Sequence, residues 1–476
     1  LLFRDRSALA PPAFADEPAY PLSDDITGDI RMFDPNIQVP YSDTWTFGIQ
    51  RGLTKNVAAE VRYVGTRSRQ QWESYNYNEL NIIENGFLNE FKLAQANLQA
   101  NIAAGRGGNF RYYGPGTGTS PLPIYLAYFS GRPASEAGNA AQYTSGNFAS
   151  ATYVNPLARF NPDPFTAVNA LDSTSTQRDN AAAAGLPANF IIANPDLQGG
   201  GRVTGHGGYT QYNSVQMELR RRLANGFQFQ ASYVYGIAEA SQRYSFRKPR
   251  ELSRQAGGEG EVTHALKANW VFELPVGRGK RWLSDAGPVL DRILGGWQIH
   301  GNLRVQSGRL VDFGNVRMVG FDENELRDMY KLRINENDRV FMLPQDVIDE
   351  TIKAFSVSAT SATGYGSLGA PSGRYFAPAN GPDCIESISN DYGDCGERTL
   401  IMRGPRFREI DLSVMKLMPI AGRVRAEFRV EMLNAFNFVN YTPVTGLGTN
   451  PASYEISGLG GTNAARVVQL VSRITW

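Results

Sequence analysis

The chain contains no run of about 18 consecutive apolar residues, which excludes a membrane-spanning helix. Charge of one sign is lacking too. Lys+Arg number 47 against 46 Asp+Glu, so the formal net charge is +1 and nothing recommends nucleic acid as a partner. Histidine is scarce: His206, His264 and His300 lie in three separate segments. Without a His-Glu-x-x-His or Gly-x-Ser-x-Gly pattern, no catalytic set is apparent, and the chain is expected not to be an enzyme. Only two cysteines occur, Cys384 and Cys395, in one Gly- and Asp-rich stretch. With no Cys-x-x-Cys and no neighbouring histidine they are poor metal ligands. They read as a candidate disulfide in an oxidising compartment or as two free thiols. The first residues, Leu1-Leu2-Phe3-Arg4-Asp5-Arg6, lack the features of a signal peptide and an initiator Met. The chain is therefore expected to start partway through a longer protein.

What is present is alternation. From Arg423 to Met432 the odd positions read Arg423, Arg425, Glu427, Arg429, Glu431 and the even ones Val424, Ala426, Phe428, Val430, Met432. A strand turns its side chains over at every residue, so this segment has one charged face and one apolar face. On a helix the charges would be scattered round the cylinder. The same pattern recurs. Trp45, Phe47 and Ile49 share a face in a strand over 44–51, which returns after 53–56 through Val57, Ala59, Val61 and Tyr63. Val215, Met217 and Leu219 alternate with Gln216, Glu218 and Arg220 before Ala224-Asn225-Gly226, and Asn-Gly is the strongest short hairpin signal. Phe227, Phe229, Ala231, Tyr233 and Tyr235 line the return. Leu266, Ala268, Trp270 and Phe272, then Trp297, Ile299, Leu303 and Val305, mark a further pair, followed by strands over 410–414, 423–432 and 468–476.

An alternating strand suits either a soluble sandwich or a membrane barrel, and connection lengths discriminate. Every second connection is brief or moderate (53–56, 224–226, 275–295, 419–422). The others are larger, and 67–207 and 306–404 are very long. Compact soluble domains rarely carry structureless connections beyond about 15 residues, whereas outer-membrane barrels have turns on one side and display loops on the other. Strands of about 9–11 residues with aromatics near their ends also suit a hydrocarbon layer. The expected fold is all-β, an antiparallel up-and-down transmembrane barrel. Its loops 67–207 and 306–404 are expected to be extracellular and to hold short helices. One helix is expected on Phe87, Phe91, Ala94, Leu98 and Ile102 with Asn85 as cap, another from Pro344 through Phe355. Leu470, Ile474 and Trp476 share a face at the C-terminus and read as a barrel-assembly signal that the assembly machinery would recognise. Arg425, Glu427, Arg429, Glu431, Glu218 and Arg220 are the candidate lumen-facing residues. The acidic group Asp322, Glu323, Glu325 and Asp338 reads as a solvated capping segment before a Ca²⁺ site. Gly277-Arg278-Gly279-Lys280 lacks P-loop spacing and reads as a turn; no cofactor is expected.

Asp34-Pro35-Asn36 with Pro40-Tyr41 and Trp45-Thr46-Phe47-Gly48-Ile49-Gln50-Arg51 resembles the barrel of TonB-dependent outer-membrane receptors, in the Oar-like group with a carboxypeptidase-regulatory-like N-terminal domain. So do Glu60-Val61-Arg62-Tyr63-Val64-Gly65, Asn85-Gly86-Phe87-Leu88-Asn89-Glu90-Phe91, Leu274-Pro275-Val276-Gly277, Gly295-Gly296-Trp297 and Asn434-Ala435-Phe436-Asn437. The resemblance implies a place in the bacterial outer membrane and the C-terminal part of a barrel of about 22 strands. It also implies coupling to TonB through a plug and N-terminal region absent from this chain, and uptake of an unknown solute such as a glycan, peptide or chelate. A structural or adhesive surface barrel without active transport is the alternative.

Overall fold

The structure is a computed structural model. It describes residues 29–154, 171–242, 250–254, 262–378, 381–383, 386–387, 392–393, 400–456 and 465–476, apart from positions 173, 198, 315, 359, 360, 362 and 445. Cys384 and Cys395 lie outside the described residues.

One eleven-stranded sheet dominates. Its strands are β1 (Asp29–Phe33), β2 (Tyr41–Thr54), β3 (Val57–Asn76), β4 (Gly200–Ala224), β5 (Phe227–Gln242), β6 (Glu251–Ser253), β7 (His264–Glu273), β8 (Trp297–Gln306), β9 (Phe407–Ala421), β10 (Val424–Leu433) and β11 (Val467–Thr475). From β2 to β11 each strand is antiparallel to its neighbour in the chain, and two short strands stand off this path. The short β6 pairs only with the end of β5, and β1 adds to β4 in parallel. All the brief connections and the C-terminus fall at one end, and the long connections leave from the other. Asn225 and Gly226, both at positive φ (53° and 75°), make the tight β4–β5 turn that the Asn-Gly pair requires.

Register carries the alternation across the sheet. Leu470, Val430, Val414, Ile299, Phe272 and Phe227 stand opposite one another on six successive strands. Ile49, Val61, Met217, Tyr233, Leu266 and Val305 form a second such row. A one-residue slip in any pair would turn that strand's apolar set to the polar face, so the rows fix the register. Two tryptophans of this face lie over glycines directly opposite them. A Cβ at Gly65 would sit 2.4 Å from the Trp45 ring, and one at Gly301 would sit 2.1 Å from the Trp270 ring. Glycine in these strands is thus a seat for an aromatic ring. Among the described residues no layer packs on the apolar face: Phe47, Ile49, Val61, Met217, Phe428, Val430 and Leu470 are all exposed.

The strands run further than alternation shows. β3 and β4 span 20 and 25 residues rather than 9–11, so the first long connection occupies 77–199 and not 67–207. Nor are the two long connections structureless. The described residues of 77–199 fold around α1 (Phe87–Ala103), α2 (Pro123–Ser130) and α3 (Ser175–Ala183) with a core of their own. There Phe110, Tyr125, Phe129, Tyr143 and Phe148 pack ring on ring at 4.7–6.3 Å together with Tyr153. Buried asparagines hold the irregular backbone. Asn97 donates to Ser120 O (2.8 Å) and accepts from Ser120 N (2.7 Å), and Asn101 donates to Asn109 O (2.9 Å) and Arg111 O (3.0 Å). Phe87, Phe91, Ala94 and Leu98 are buried as the pattern requires, with Ile102 packed beside them. The helix cap, however, is Gly86, at φ 80°, and not Asn85, whose side chain instead accepts from Phe87 N.

The second outer unit, 307–406, has its own core around α6 (Gln345–Phe355), with Val347, Ile348, Phe313 and Phe376, and draws in Tyr454 and Ile456 from the last connection. Pro344 is the extended residue before α6 and not its first turn. The acidic group is mostly accounted for by α5 (Glu323–Met329). Asp322 accepts from Glu325 N, Glu325 accepts from Asp322 N, and Glu323 pairs with Arg327.

Candidate functional site

The polar face is where the strands bring chemistry together. Two adjacent rows run Gln50, Glu60, Glu218, Ser232, Lys267, Arg304, Glu409 and Ala58, Arg220, Gln230, Asn269, Asn302, Asp411. Like charges stand directly opposite at Glu60–Glu218 and at Lys267–Arg304, an arrangement that destabilises a sheet unless other groups compensate it. Compensation is partly local: Arg62 lies 3.5 Å from Glu60, and Gln230 donates to Glu218 at 3.2 Å. Lys267 and Arg304 share a cavity of about 340 Å³ with Glu409, Asp411, Asn269 and Asn302. A hydrated wall carrying both signs, with amide groups between them, can hydrogen-bond a polar solute along its length.

Of the residues singled out from sequence, Glu218 and Arg220 belong to these rows. Arg425, Glu427, Arg429 and Glu431 share the same face of β10, where Arg429 pairs along its own strand with Glu427 (3.3 Å) and Glu431 (3.0 Å). Leu470 and Ile474 stand opposite Val430 and Ala426 on the apolar face, and Trp476 follows the last strand, exposed. The three histidines sit on three different strands, β4, β7 and β8.

A second constellation escaped the sequence. At the end where the long connections leave, a cleft of about 950 Å³ is lined by Arg254, Arg327, Arg403, Glu251, Glu323 and Tyr330. A neighbouring one of about 540 Å³ is lined by Arg67, Arg69, Gln70, Tyr209 and Gln211, and Leu252 belongs to both. Three arginines line the first cleft, where Arg254 and Arg403 both donate to Thr263 Oγ1 (3.2 and 2.7 Å) and Arg327 pairs with Glu323; Arg67 and Arg69 of β3 line the second, on the face of Ile49 and Val61. The three arginines of the first cleft lie far apart in sequence, with no periodic signal to join them. Guanidinium forks match carboxylates and phosphates.

One titratable group stands out in the first outer unit. Glu90 is buried on α1 and accepts from Ile124 N (2.9 Å) and Tyr125 N (2.8 Å) at the start of α2. Burial outweighs those two hydrogen bonds and pushes its carboxyl up to about 7. A carboxyl whose folded value is raised holds its proton more tightly in the folded state, so the stability it confers is lost as pH rises from about 4.5 through 7. The unit should therefore be more stable at pH 5 than at pH 8, by roughly 3 kcal/mol if the whole shift is expressed. Calorimetric melting of the outer unit across this range checks it, and Glu90→Gln should flatten the dependence. A melting temperature that rises with pH in the native protein contradicts it.

An antiparallel sheet of neighbour-paired strands, with an unpacked apolar face, a charged opposite face and loops at one end, is the arrangement of a transmembrane β-wall. The model of the family described as outer membrane beta barrel domain matches residues 5–469, and the chain belongs to that family. It is accordingly a protein of the outer membrane. No curated protein matches it in sequence. Among solved structures it is similar to the outer membrane transporter YddB from Escherichia coli, at 8% identity and a TM-score of 0.30, over 94% of this chain and 34% of that one. The chain thus spans about a third of the length of the solved structure it matches.

Proposed function

We propose that this chain is the C-terminal wall of a TonB-dependent, Oar-like outer-membrane receptor that takes up a large or scarce polar solute. The solute class is a glycan, peptide or chelate bearing carboxylate or phosphate groups. The observation that carries this reading is the convergence of Arg254, Arg327 and Arg403, with Tyr330, on one cleft at the loop end of the sheet. Solute held there would pass on to the mixed-charge rows that include Lys267 and Arg304. Among the described residues, neither β2 nor β11 has a strand on its outer edge. In lipid each unpaired backbone group costs several kcal/mol, so the wall calls for further strands and a closed barrel of about 22. The plug and the TonB-contacting segment would belong to that remainder. The short turns would then face the periplasm and the outer units the cell exterior, with no catalytic role for the chain.

A surface barrel for display or adhesion is the second reading, favoured by the two outer units having cores of their own. Binding of acidic oligosaccharides and acidic peptides to the full-length receptor, against neutral counterparts, tests the first. Arg254→Ala with Arg327→Ala should weaken binding of the acidic probes about tenfold or more, as expected for lost charge-assisted hydrogen bonds. Deleting TonB should abolish their accumulation in the cell. Equal binding of acidic and neutral probes, or accumulation without TonB, contradicts the proposal.

A further inference from the structure

The β7–β8 connection, 274–296, is the longest at its end of the sheet and the most apolar on its surface. It carries α4 (Pro288–Leu294), a helix with no buried residue. Trp282, Leu283, Val289, Leu290, Ile293 and Leu294 are all exposed, Val289 at 72% and Ile293 at 59%. Six large apolar side chains on one turn would be a costly surface in water.

Two side chains of the apolar sheet face tie this turn down. Lys416 and Trp297 stand opposite each other there, in the row that continues to Phe428. Trp297 donates its indole N–H to Ile293 O at 3.0 Å. The Lys416 ammonium donates to Ile293 O at 3.2 Å and to Gly295 O, and lies 5.3 Å from the centre of the Trp297 ring. A lysine in a lipid-facing row is costly unless its charge is satisfied. Here it sits against the carbonyls at the end of α4 and is only 6% exposed. The end of α4 therefore lies on the outside of the wall, continuous with the apolar belt, and not over the lumen. The turn is also closed by hydrogen bonds of its own. Arg278 N donates to Asp291 Oδ1 (2.6 Å), Gly277 N to Trp282 O (2.9 Å), Trp282 N to Pro275 O (2.9 Å) and Gly279 N to Ser284 O (3.0 Å). Its charge is mostly basic: Arg278, Arg281 and Arg292 against Asp285 and Asp291, with Lys280 paired to Glu273 at the end of β7 (3.2 Å).

We propose that this turn is an interfacial anchor. α4 and Trp282 lie in the headgroup–acyl boundary of the periplasmic leaflet, and Arg278 and Arg281 hold the phosphates of anionic phospholipid. An apolar surface flanked by cations, presented at the rim of a transmembrane wall, fits a negatively charged phospholipid leaflet both in polarity and in charge. A turn already closed by its own hydrogen bonds loses little conformational freedom on docking there. The leaflet assignment rests on the reading that the short turns face the periplasm; the depth of the turn does not.

The full-length protein, with Cys384→Ser and Cys395→Ser, would carry a fluorescent label at Ile293→Cys or Leu290→Cys. It would be placed in bilayers of phosphatidylethanolamine and phosphatidylglycerol. Quenching by phospholipids brominated near the headgroup, stronger than by those brominated deep in the chain and with little quenching by aqueous iodide, is the expected result. Iodide quenching equal to that of a label at Asp285→Cys, with none by brominated lipid, overturns the anchor and leaves the face to a protein partner. The double variant Arg278→Gln, Arg281→Gln should lower the ratio of co-purified phosphatidylglycerol to phosphatidylethanolamine at least about fivefold. An unchanged ratio overturns the headgroup assignment. Labelling of Asp285→Cys on intact cells by an impermeant reagent overturns the periplasmic assignment, and with it the sidedness proposed for the receptor, without touching the depth result.

Discussion

Replacing Val430 with arginine is expected to cost about 2–4 kcal/mol of assembled stability, because it places a guanidinium in the middle of an apolar row. Leu470 and Val414 stand on either side of Val430, so the new charge has no polar neighbour in its row. The side chain next along the strand gives the control. Arg429 lies on the charged face, partly solvated and paired with Glu427 and Glu431. Its removal leaves two carboxylates in contact with water and should cost about 1 kcal/mol or less. Refolding of both variants into lipid vesicles, followed by denaturant titration, measures the difference. Equal tolerance at the two neighbouring positions would refute the orientation of β10.

The second large effect is expected far from the membrane. Phe148 is fully buried in the first outer unit, with ring centres 5.0 Å from Phe129, 5.0 Å from Tyr143 and 5.4 Å from Phe110. Phe148→Ala opens a cavity at the centre of that cluster and should destabilise the unit by about 3–5 kcal/mol. The outer unit should then become protease-sensitive while the barrel still migrates as a folded, heat-modifiable species on gels. Loss of barrel assembly in the same variant would show that the two parts do not fold independently.

The contrast between these sites explains what could be read from the sequence. Strands in contact with lipid on one side and water on the other must alternate, so β10, the β4–β5 hairpin and the faces of β7 and β8 were legible residue by residue. Beyond that boundary both faces are polar and alternation carries no information. The stretch Arg67–Asn76 of β3 and the Gly-rich start of β4 therefore read as loop, and the strands were drawn too short. The outer units escaped for a different reason. Their aromatic residues come from irregular segments, and buried asparagines such as Asn97 and Asn101, which satisfy that backbone, look like loop composition. The arginine cleft was illegible because only the folded sheet and the second outer unit bring residues 254, 327 and 403 together. Lys416 shows the reverse case. Alternation places it on the lipid face, where a cation looks misplaced, and the carbonyls at the end of α4 supply the reason.

The most direct measurement is a nitroxide scan along β10, one cysteine at a time from Val424 to Leu433, in the full-length protein lacking Cys384 and Cys395 and reconstituted in lipid. Collision rates with oxygen, which concentrates in the bilayer, should peak at Ala426, Phe428, Val430 and Met432. Those with a water-soluble nickel complex should peak at Arg425, Glu427, Arg429 and Glu431. Two accessibility profiles in phase, or nickel contact at the even positions, would contradict a wall with lipid on one side and water on the other.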